Sequence, residues 1–217
     1  MLDRKSLGDG TFLNAFKDAP GIEWWPDERI ETSMQGMLAK RVPGEPVWIF
    51  AYGSLIWNPL FRFVESCPAT LPGWRRSFCI RLLIGRACQR QPGRMMSLVA
   101  GGATDGLALR LDEKTLEQEL RIVWRREMVG GAYRPDWAPV TLGDGRIVRA
   151  IIFSADPGSV LHEIDDDVET IAPFIASAKG PLGSNRDYVL QLDAALRRHR
   201  ITDGYIRELA ELLSAAR

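Results

Sequence analysis

Three segments of the chain combine residue types that could do chemistry, and the first is a glycine turn after an apolar strand. Residues 47–51 are all apolar and predict a buried strand that ends at Tyr52-Gly53-Ser54-Leu55. Main-chain N–H groups at such a turn have no partner in a strand ladder, and they can bind an anion. The alternative is that the turn only ends the strand. Ser54 lacks the flanking glycines of a nucleophile elbow, so it is a weak candidate for an acyl-enzyme.

The second segment contains Glu127, where a predicted helix gives way to a strand beside Gly130 and Gly131. Apolar surroundings raise the pKa of a carboxyl, and a general base near neutral pH requires a raised pKa. Arg125 and Arg126 would lower that pKa if they pointed at the carboxyl. Neighbouring residues of an extended chain point to opposite faces, so we expect at least Arg126 to point away. The alternative is a surface salt bridge between Glu127 and an arginine.

The third segment is a glycine-bounded loop, residues 179–183, followed by a helix that Ser184 or Asn185 caps. Tyr188 lies in the first turn of this helix and shares a face with Leu192, so its side chain is expected to point inward. A buried phenol usually has a hydrogen-bond partner. The alternative is a tyrosine that belongs only to the core.

The elements that must position these residues are predicted strands in the middle of the chain. The apolar patterns predict strands at residues 47–53, 74–83, 94–99, 106–111, 133–142 and 146–153. Asp144-Gly145 predicts a two-residue hairpin between the last two strands. Several antiparallel strands of this length favour a small closed or nearly closed barrel.

Predicted helices stand before, between and after these strands, at residues 27–40, 113–124, 165–178, 185–200 and after Asp203. The acidic run at residues 163–167 fits a helix start, where the dipole stabilises carboxylates, better than a metal site. The predicted fold is therefore α+β, a small mixed or antiparallel β-barrel flanked by helices. Residues 1–46 are predicted to form an N-terminal extension with one helix, in which Trp24-Trp25 packs on the main domain at residues 47–217.

Composition and charge exclude several classes of function. The 28 basic and 28 acidic residues give no net charge, so no field attracts nucleic acid or anionic lipid. No apolar run could span a membrane, and the first residues lack the apolar segment of a secretion signal, so a cytoplasmic location is expected. Cys67, Cys79 and Cys88 lack the paired spacing of a zinc site. They are better interpreted as small hydrophobic residues than as part of a Cys–His catalytic pair.

Taken together, these segments resemble the ChaC-type γ-glutamylcyclotransferases, the glutathione-specific branch of the γ-glutamylcyclotransferase superfamily. The resemblance covers about residues 47–213, which is most of the chain. The motifs that carry it are WIFAYGSLIWNPLF, LPGWRRSFCI, RREMVGGAYRPDW, IASAKGPLGSNRDYVL and ITDGYIRELAELL. Because all five occur in the order of that family, the resemblance is specific.

The resemblance implies cleavage of glutathione to 5-oxoproline and cysteinylglycine, with no metal and no organic cofactor. It implies that Glu127 is the catalytic general acid and base. The main-chain N–H groups of Gly53, Ser54 and Leu55 would bind the α-carboxylate of the substrate. Tyr188 would orient the glutamyl group.

Two further contacts with the substrate are expected. The Tyr52 hydroxyl is one candidate donor to the γ-carbonyl oxygen, and Arg81 is expected to contact the substrate. The implied partner is a small molecule, glutathione, with no nucleic acid and no membrane, and a protein partner is unknown. Two alternatives stay open: a cyclotransferase for other γ-glutamyl amino acids or amines, and a non-catalytic binder of γ-glutamyl ligands.

Overall fold

The computed structural model describes residues 2–14, 22 and 24–215; the other residues of the predicted extension and main domain lie outside this description. Its main strands are β1 (Trp48–Ala51), β2 (Glu65–Leu82), β3 (Gly93–Arg110), β4 (Tyr133–Leu142) and β5 (Ile147–Ala155). Within the described residues these five strands close into a barrel in the order β1-β3-β2-β4-β5. β1 is parallel to β5, and the other pairs are antiparallel. The mixed barrel confirms the predicted fold class.

Helices flank the barrel as predicted, but the described part of residues 1–46 contains three helices where the sequence predicts one. The helices are α1 (Arg4–Gly8), α2 (Thr11–Asn14), α3 (Asp27–Leu38), α4 (Leu116–Glu127), α5 (Val168–Ser177), α6 (Asn185–Arg198) and α7 (Gly204–Ala215). Short 3-10 turns cover Ser54–Ile56 and Glu113–Thr115, and two-residue strands, β6 (Lys179–Gly180) and β7 (Gly183–Ser184), precede α6. The side chains of Asp167, Ser184 and Asp203 accept main-chain N–H groups at the starts of α5, α6 and α7. Asp167, the last residue of the acidic run, caps α5, so the run precedes this helix, which begins at Val168 and not at the predicted residue 165.

β2 and β3 are longer than the sequence predicts. The two strands expected at residues 94–99 and 106–111 are one strand, because a bulge at Gly101-Gly102 lets the chain continue without a turn. β2 begins at Glu65, and its first part contains Pro68 and Pro72, which remove ladder donors and conceal a strand in the sequence pattern. Pro72 lies at the register shift opposite the bulge.

The hairpin between β4 and β5 is present where Asp144-Gly145 predicts it, but its loop has three residues. Leu142 pairs with Arg146 through its N–H, and the Gly145 N–H donates to the Leu142 carbonyl. Gly145 has φ +87°, the left-handed conformation that ends this type of loop. The predicted position is confirmed, and the predicted loop length is wrong by one residue.

The hydrophobic core fills the barrel and continues under α4. All four residues of β1 are buried. The rings of Trp124 in α4 and Phe153 in β5 pack edge to face, with 5.1 Å between their centres. The described residues before β1 pack on the outer side of α4: Trp25 donates its main-chain N–H to Val129, and Arg125 binds Asp27. Trp25 packs on the body as predicted, while the division of the chain at residue 46 stays a prediction.

Candidate active site

The turn after β1 brings the main chain close to α6. Gly53 has a negative φ of −127°, so the left-handed conformation that favours glycine is not the reason for a glycine here. A Cβ there would lie 2.9 Å from Met96 Cε and 3.0 Å from the Tyr188 hydroxyl. The glycine therefore allows the tyrosine of α6 to contact the turn.

Glu127 is the last residue of α4, directly beside this turn. Met128 caps the helix and donates its N–H to the Trp124 carbonyl, and the chain then turns away at Gly131, which has φ +60°. The Glu127 side chain is only 14% exposed. It lines a pocket of about 240 Å³ together with Ser54 and Tyr188. Of the alternative of a surface salt bridge, the pairing with an arginine is present, but the pair is largely buried and does not lie at the surface.

Arg126 joins the acid to the turn. Its Nε lies 3.3 Å from Glu127 Oε1, and its Nη2 donates to Ser54 Oγ at 2.7 Å. Its Nη1 donates to the Asn58 carbonyl at 2.5 Å. The expectation that Arg126 points away from Glu127 is wrong, because α4 is helical through Glu127 and the alternation of an extended chain does not apply.

Burial and this arginine act in opposite directions on the Glu127 carboxyl. Burial raises the pKa of Glu127 because it disfavours the charged form, and the positive charge of Arg126 lowers it by a smaller amount. The pKa is raised on balance. Such a carboxyl can accept a proton from an amine and return it, which is the requirement for a single general acid and base.

Three tyrosines lie close enough to Glu127 for its charge, in addition to burial, to raise their pKa values. Tyr52 donates to the Phe153 carbonyl at 2.5 Å, and Tyr133 donates to the Met96 carbonyl at 2.9 Å. Burial and the charge of Glu127 raise the pKa of Tyr188 to about 12, while its contacts with Ser54 lower it. The pKa values of Tyr52 and Tyr133 are also raised, and burial is the largest cause. All three phenols therefore stay protonated near neutral pH.

The pocket brings together four of the residues singled out from the sequence: Ser54, Arg81, Glu127 and Tyr188. Arg81 is half exposed and donates its Nε to Glu163 at 2.5 Å. The side chains of Tyr52 and Leu55 and the residue Gly53 are not part of the pocket lining, and the Tyr52 hydroxyl donates to the Phe153 carbonyl. Substrate contacts by these seven residues remain predictions.

The pocket also contains residues that the sequence did not single out as parts of a site. Tyr133 and Glu127 both belong to the motif RREMVGGAYRPDW, so the sequence could have indicated that Tyr133 lines the same pocket. No pattern in the sequence indicates that Arg94 lines the pocket, because the pairing of β3 with β2 brings it there. Leu2, Phe12 and Trp24 of the predicted extension line the same pocket.

Two other properties bear on the kind of site. In the described residues, no three His, Cys, Asp or Glu side chains are arranged so that they could hold a metal ion. None of the helices in that part of the chain has the length and apolar character needed to cross a membrane.

Comparison with known proteins agrees with this geometry. The chain is 48% identical over 209 residues to the glutathione-specific γ-glutamylcyclotransferase of Escherichia coli, covering 96% of this chain and 90% of that protein. It is 31% identical over 156 residues to glutathione-specific γ-glutamylcyclotransferase 1 of Danio rerio, covering 70% of this chain and 79% of the relative.

A crystal structure of the glutathione-specific γ-glutamyl cyclotransferase from yeast has the same fold. Its TM-score is 0.73 at 20% identity, covering 80% of this chain and 98% of the yeast chain. Residues 47–216 match the family described as ChaC-like protein. The resemblance predicted from the motifs is therefore confirmed: the chain belongs to the ChaC-like family.

Proposed function

We propose that this protein is a glutathione-specific γ-glutamylcyclotransferase that cleaves glutathione to 5-oxoproline and cysteinylglycine, with Glu127 as general acid and base. The observation that carries the mechanism is the buried Glu127 carboxyl, linked through Arg126 to the turn at Ser54 in one pocket. The 48% identity to the Escherichia coli enzyme of that name supports the substrate.

The reaction is an aminolysis within one molecule. The α-amine of the γ-glutamyl group attacks its own γ-carbonyl carbon, a five-membered ring closes, and the bond to the cysteine nitrogen breaks. Because the two reacting groups belong to one molecule, alignment in the pocket removes much of the entropic barrier, and effective molarities of about 10⁵ M or more are known for such reactions.

Proton transfer is the part that the protein must supply. Near neutral pH the α-amine is mostly an ammonium group, which cannot attack. Glu127 takes the proton from this group and later gives it to the departing amine, so the carboxyl returns to its starting state. The raised pKa of Glu127 brings it closer to the pKa of the amine, which makes the first transfer, from the ammonium group to the carboxylate, less unfavourable.

The negative charges of the substrate are met by donors at the turn. Main-chain N–H groups of Gly53, Ser54 and Leu55 are suited to the α-carboxylate, and Arg126 adds a positive charge at the same place. The Tyr188 hydroxyl, which contacts Ser54, can donate to the γ-carbonyl oxygen as negative charge develops there. Tyr52 supports the turn in this arrangement, because its proton is engaged by Phe153.

Mass spectrometry of products tests this function. The purified protein incubated with glutathione should yield 5-oxoproline and cysteinylglycine in equal amounts. Glu127→Gln should lower the turnover by at least about 100-fold, because the amide keeps the shape but cannot accept the proton. Glu117→Gln, an exposed change on the same helix, should leave turnover within twofold.

Two outcomes would contradict the proposal. A folded Glu127→Gln protein with near-normal turnover would remove the acid from the mechanism. Calorimetric binding of glutathione by the wild-type protein without any 5-oxoproline would instead indicate a non-catalytic binder.

A cytoplasmic location is proposed as well. All three cysteines of the chain are free thiols in the structure, which fits a reducing compartment. The absence of nucleic-acid and membrane partners remains a prediction from the balanced charge.

A further inference from the structure

One arginine of the pocket wall is buried with very little compensation for its charge. The Arg94 side chain is 9% exposed, and its Nε has no hydrogen-bond partner within the described residues. Its other polar contacts are long: Nη1 is 3.4 Å from the Gly93 carbonyl oxygen, and Nη2 is 3.7 Å from Glu163 Oε2. A buried guanidinium with such contacts is unfavourable for folding unless something else binds it.

The nearest carboxylate does not balance this charge, because it is shared. Arg81 lies opposite Arg94 in the β2–β3 pair and donates its Nε to Glu163 Oε1 at 2.5 Å. One carboxylate thus faces two guanidinium groups, and a net positive charge remains at this end of the pocket. Arg94 is the less exposed and the less well paired of the two.

Arg94 is nevertheless held in place. Its guanidinium stacks over the Phe174 ring at 4.7 Å from the ring centre. Its main-chain N–H donates to Asn185 Oδ1 at 2.8 Å, and Asn185 is itself buried at the start of α6. A fixed, under-paired guanidinium is suited to bind a planar anion through two parallel hydrogen bonds.

The distance between Arg94 and the turn at Gly53 indicates which anion Arg94 would bind. Arg94 and Met96 are two residues apart in β3, so their side chains share a face and their Cα atoms are about 7 Å apart. The Met96 methyl group lies at Gly53, next to the Tyr188 hydroxyl. Two residues of an extended peptide also cover about 7 Å. A substrate with its γ-carbonyl at the turn therefore has room to place a carboxylate two residues further on, near Arg94.

We propose that Arg94 binds the terminal carboxylate of the departing dipeptide and so selects γ-glutamyl peptides over γ-glutamylamines. This inference rests on the proposed function, since it assigns the second charged group of the same substrate. Arg94 is then a specificity-determining residue, and the Glu163–Arg81 pair keeps the other charges of this end of the pocket balanced.

A comparison of two substrates tests the assignment. The substrates are glutathione and its glycine-amide derivative, which lacks only the terminal carboxylate. Arg94→Met should lower kcat/KM for glutathione by about 10- to 100-fold, mainly through a higher KM, because a charge-assisted contact is lost. For the amide, Arg94→Met and the wild type should agree within about threefold. Arg75→Met, a half-exposed change in β2 outside this pocket, is the matched control.

Thermal unfolding separates binding from structure. Removing an under-paired buried charge should leave the melting temperature of Arg94→Met unchanged or raise it, whereas loss of a structural ion pair would lower it. Equal losses of kcat/KM on both substrates would overturn the proposal, because they would indicate the α-carboxylate of the glutamyl group or a structural role. An unchanged KM for glutathione would also overturn it.

Failure of the proposed function is recognised separately. If the wild-type protein forms no 5-oxoproline from either substrate, the same comparison is made with calorimetric dissociation constants. A loss of affinity in Arg94→Met for glutathione, but not for the amide, would still support the carboxylate contact. Equal affinities of the wild type and Arg94→Met for glutathione would reject it.

Discussion

Burial and the charge of Arg126 compete for the pKa of Glu127, and this competition predicts how activity depends on pH. The pKa is raised above 4.5, chiefly by burial, so the carboxylate becomes protonated as the pH falls through that raised value. The protonated acid cannot take a proton from the amine. We expect kcat/KM to fall on the acid side at a pH above the usual titration of a glutamate.

Substitution of Arg126 should shift the acid limb of the pH profile, which is the range in which kcat/KM falls as the pH is lowered. In Arg126→Met the positive charge that lowers the pKa of Glu127 is gone, so the limb of the kcat/KM profile should shift to higher pH. The activity at neutral pH should fall by about 10-fold or more, because the contact with Ser54 is lost as well. An unmoved acid limb would mean that another group controls it; the Glu117→Gln profile serves as the control.

The same raised pKa has a consequence for stability. The folded protein holds the Glu127 proton more strongly than the unfolded chain, so stability falls as the pH rises from 4.5 through the raised pKa. Glu127→Gln abolishes this loss. Its free energy of unfolding, measured in urea, should therefore exceed that of the wild type by more at pH 7 than at pH 4. A difference that does not change with pH would contradict the burial of the charge.

Gly53 tests the close approach of the turn to α6. In Gly53→Ala the new methyl group would lie 3.0 Å from the Tyr188 hydroxyl and 2.9 Å from Met96 Cε, so the tyrosine must move. We expect about a 10-fold loss of kcat/KM for glutathione, because small displacements of positioning groups reduce rates strongly. Gly204→Ala has open space around its Cβ and should behave as the wild type. Normal kinetics in Gly53→Ala would mean that the turn only ends a strand.

At the scale of elements, α4 connects the acid to the residues that precede the barrel. Glu119, in the middle of α4, is 1% exposed and accepts two hydrogen bonds from Arg4 and one from the Arg62 N–H. Two residues before Glu127, Arg125 binds Asp27 and the carbonyls of α1. The same helix thus contacts the described part of the predicted extension and positions the Glu127 carboxyl.

Arg4→Met should loosen this connection. The buried carboxylate of Glu119 would lose its main partner, and we expect the free energy of unfolding to fall by about 1–3 kcal/mol. Arg197→Met removes an exposed pair within α6 and should change stability by less than about 0.5 kcal/mol. Equal stabilities of Arg4→Met and the wild type in urea unfolding would show that the extension contributes little to the fold.

At the scale of the whole molecule, the site depends on closure of the barrel, since β1 carries the turn and lies between β3 and β5. Gly106 allows β1 to approach β3: a Cβ there would collide with the Ala51 carbonyl and with the Phe50 ring. Gly106→Ala should therefore destabilise the protein by about 2–4 kcal/mol through overpacking and a displaced strand.

Gly36→Ala gives the opposite expectation. This glycine lies inside α3 with open space around its Cβ, so alanine should stabilise the protein by about 0.5–1 kcal/mol. Urea unfolding of the two variants checks both signs. A Gly106→Ala protein as stable as the wild type would mean that β1 can shift without cost to the barrel.

Local patterns in the sequence determined the elements and their ends. The apolar run before Gly53, the caps at Asp167, Ser184 and Asp203, and the hairpin at residues 144–145 depend on neighbours in the chain. The family motifs also singled out Glu127 as a candidate, because they are continuous stretches of residues. The length of β2 and β3 escaped these patterns, since a bulge at two glycines joins what local composition separates.

Only the tertiary structure decided which charges meet at the pocket. A sequence shows Arg126 next to Glu127, but the direction of its side chain depends on where α4 ends and on the position of Ser54. Arg94 and Glu163 are far apart in the chain, and they meet because β3 pairs with β2 beside the segment that leads to α5. Burial raises the pKa of Glu127 and makes the weak pairing of Arg94 unfavourable, and it is a property of the packed molecule and not of its local sequence.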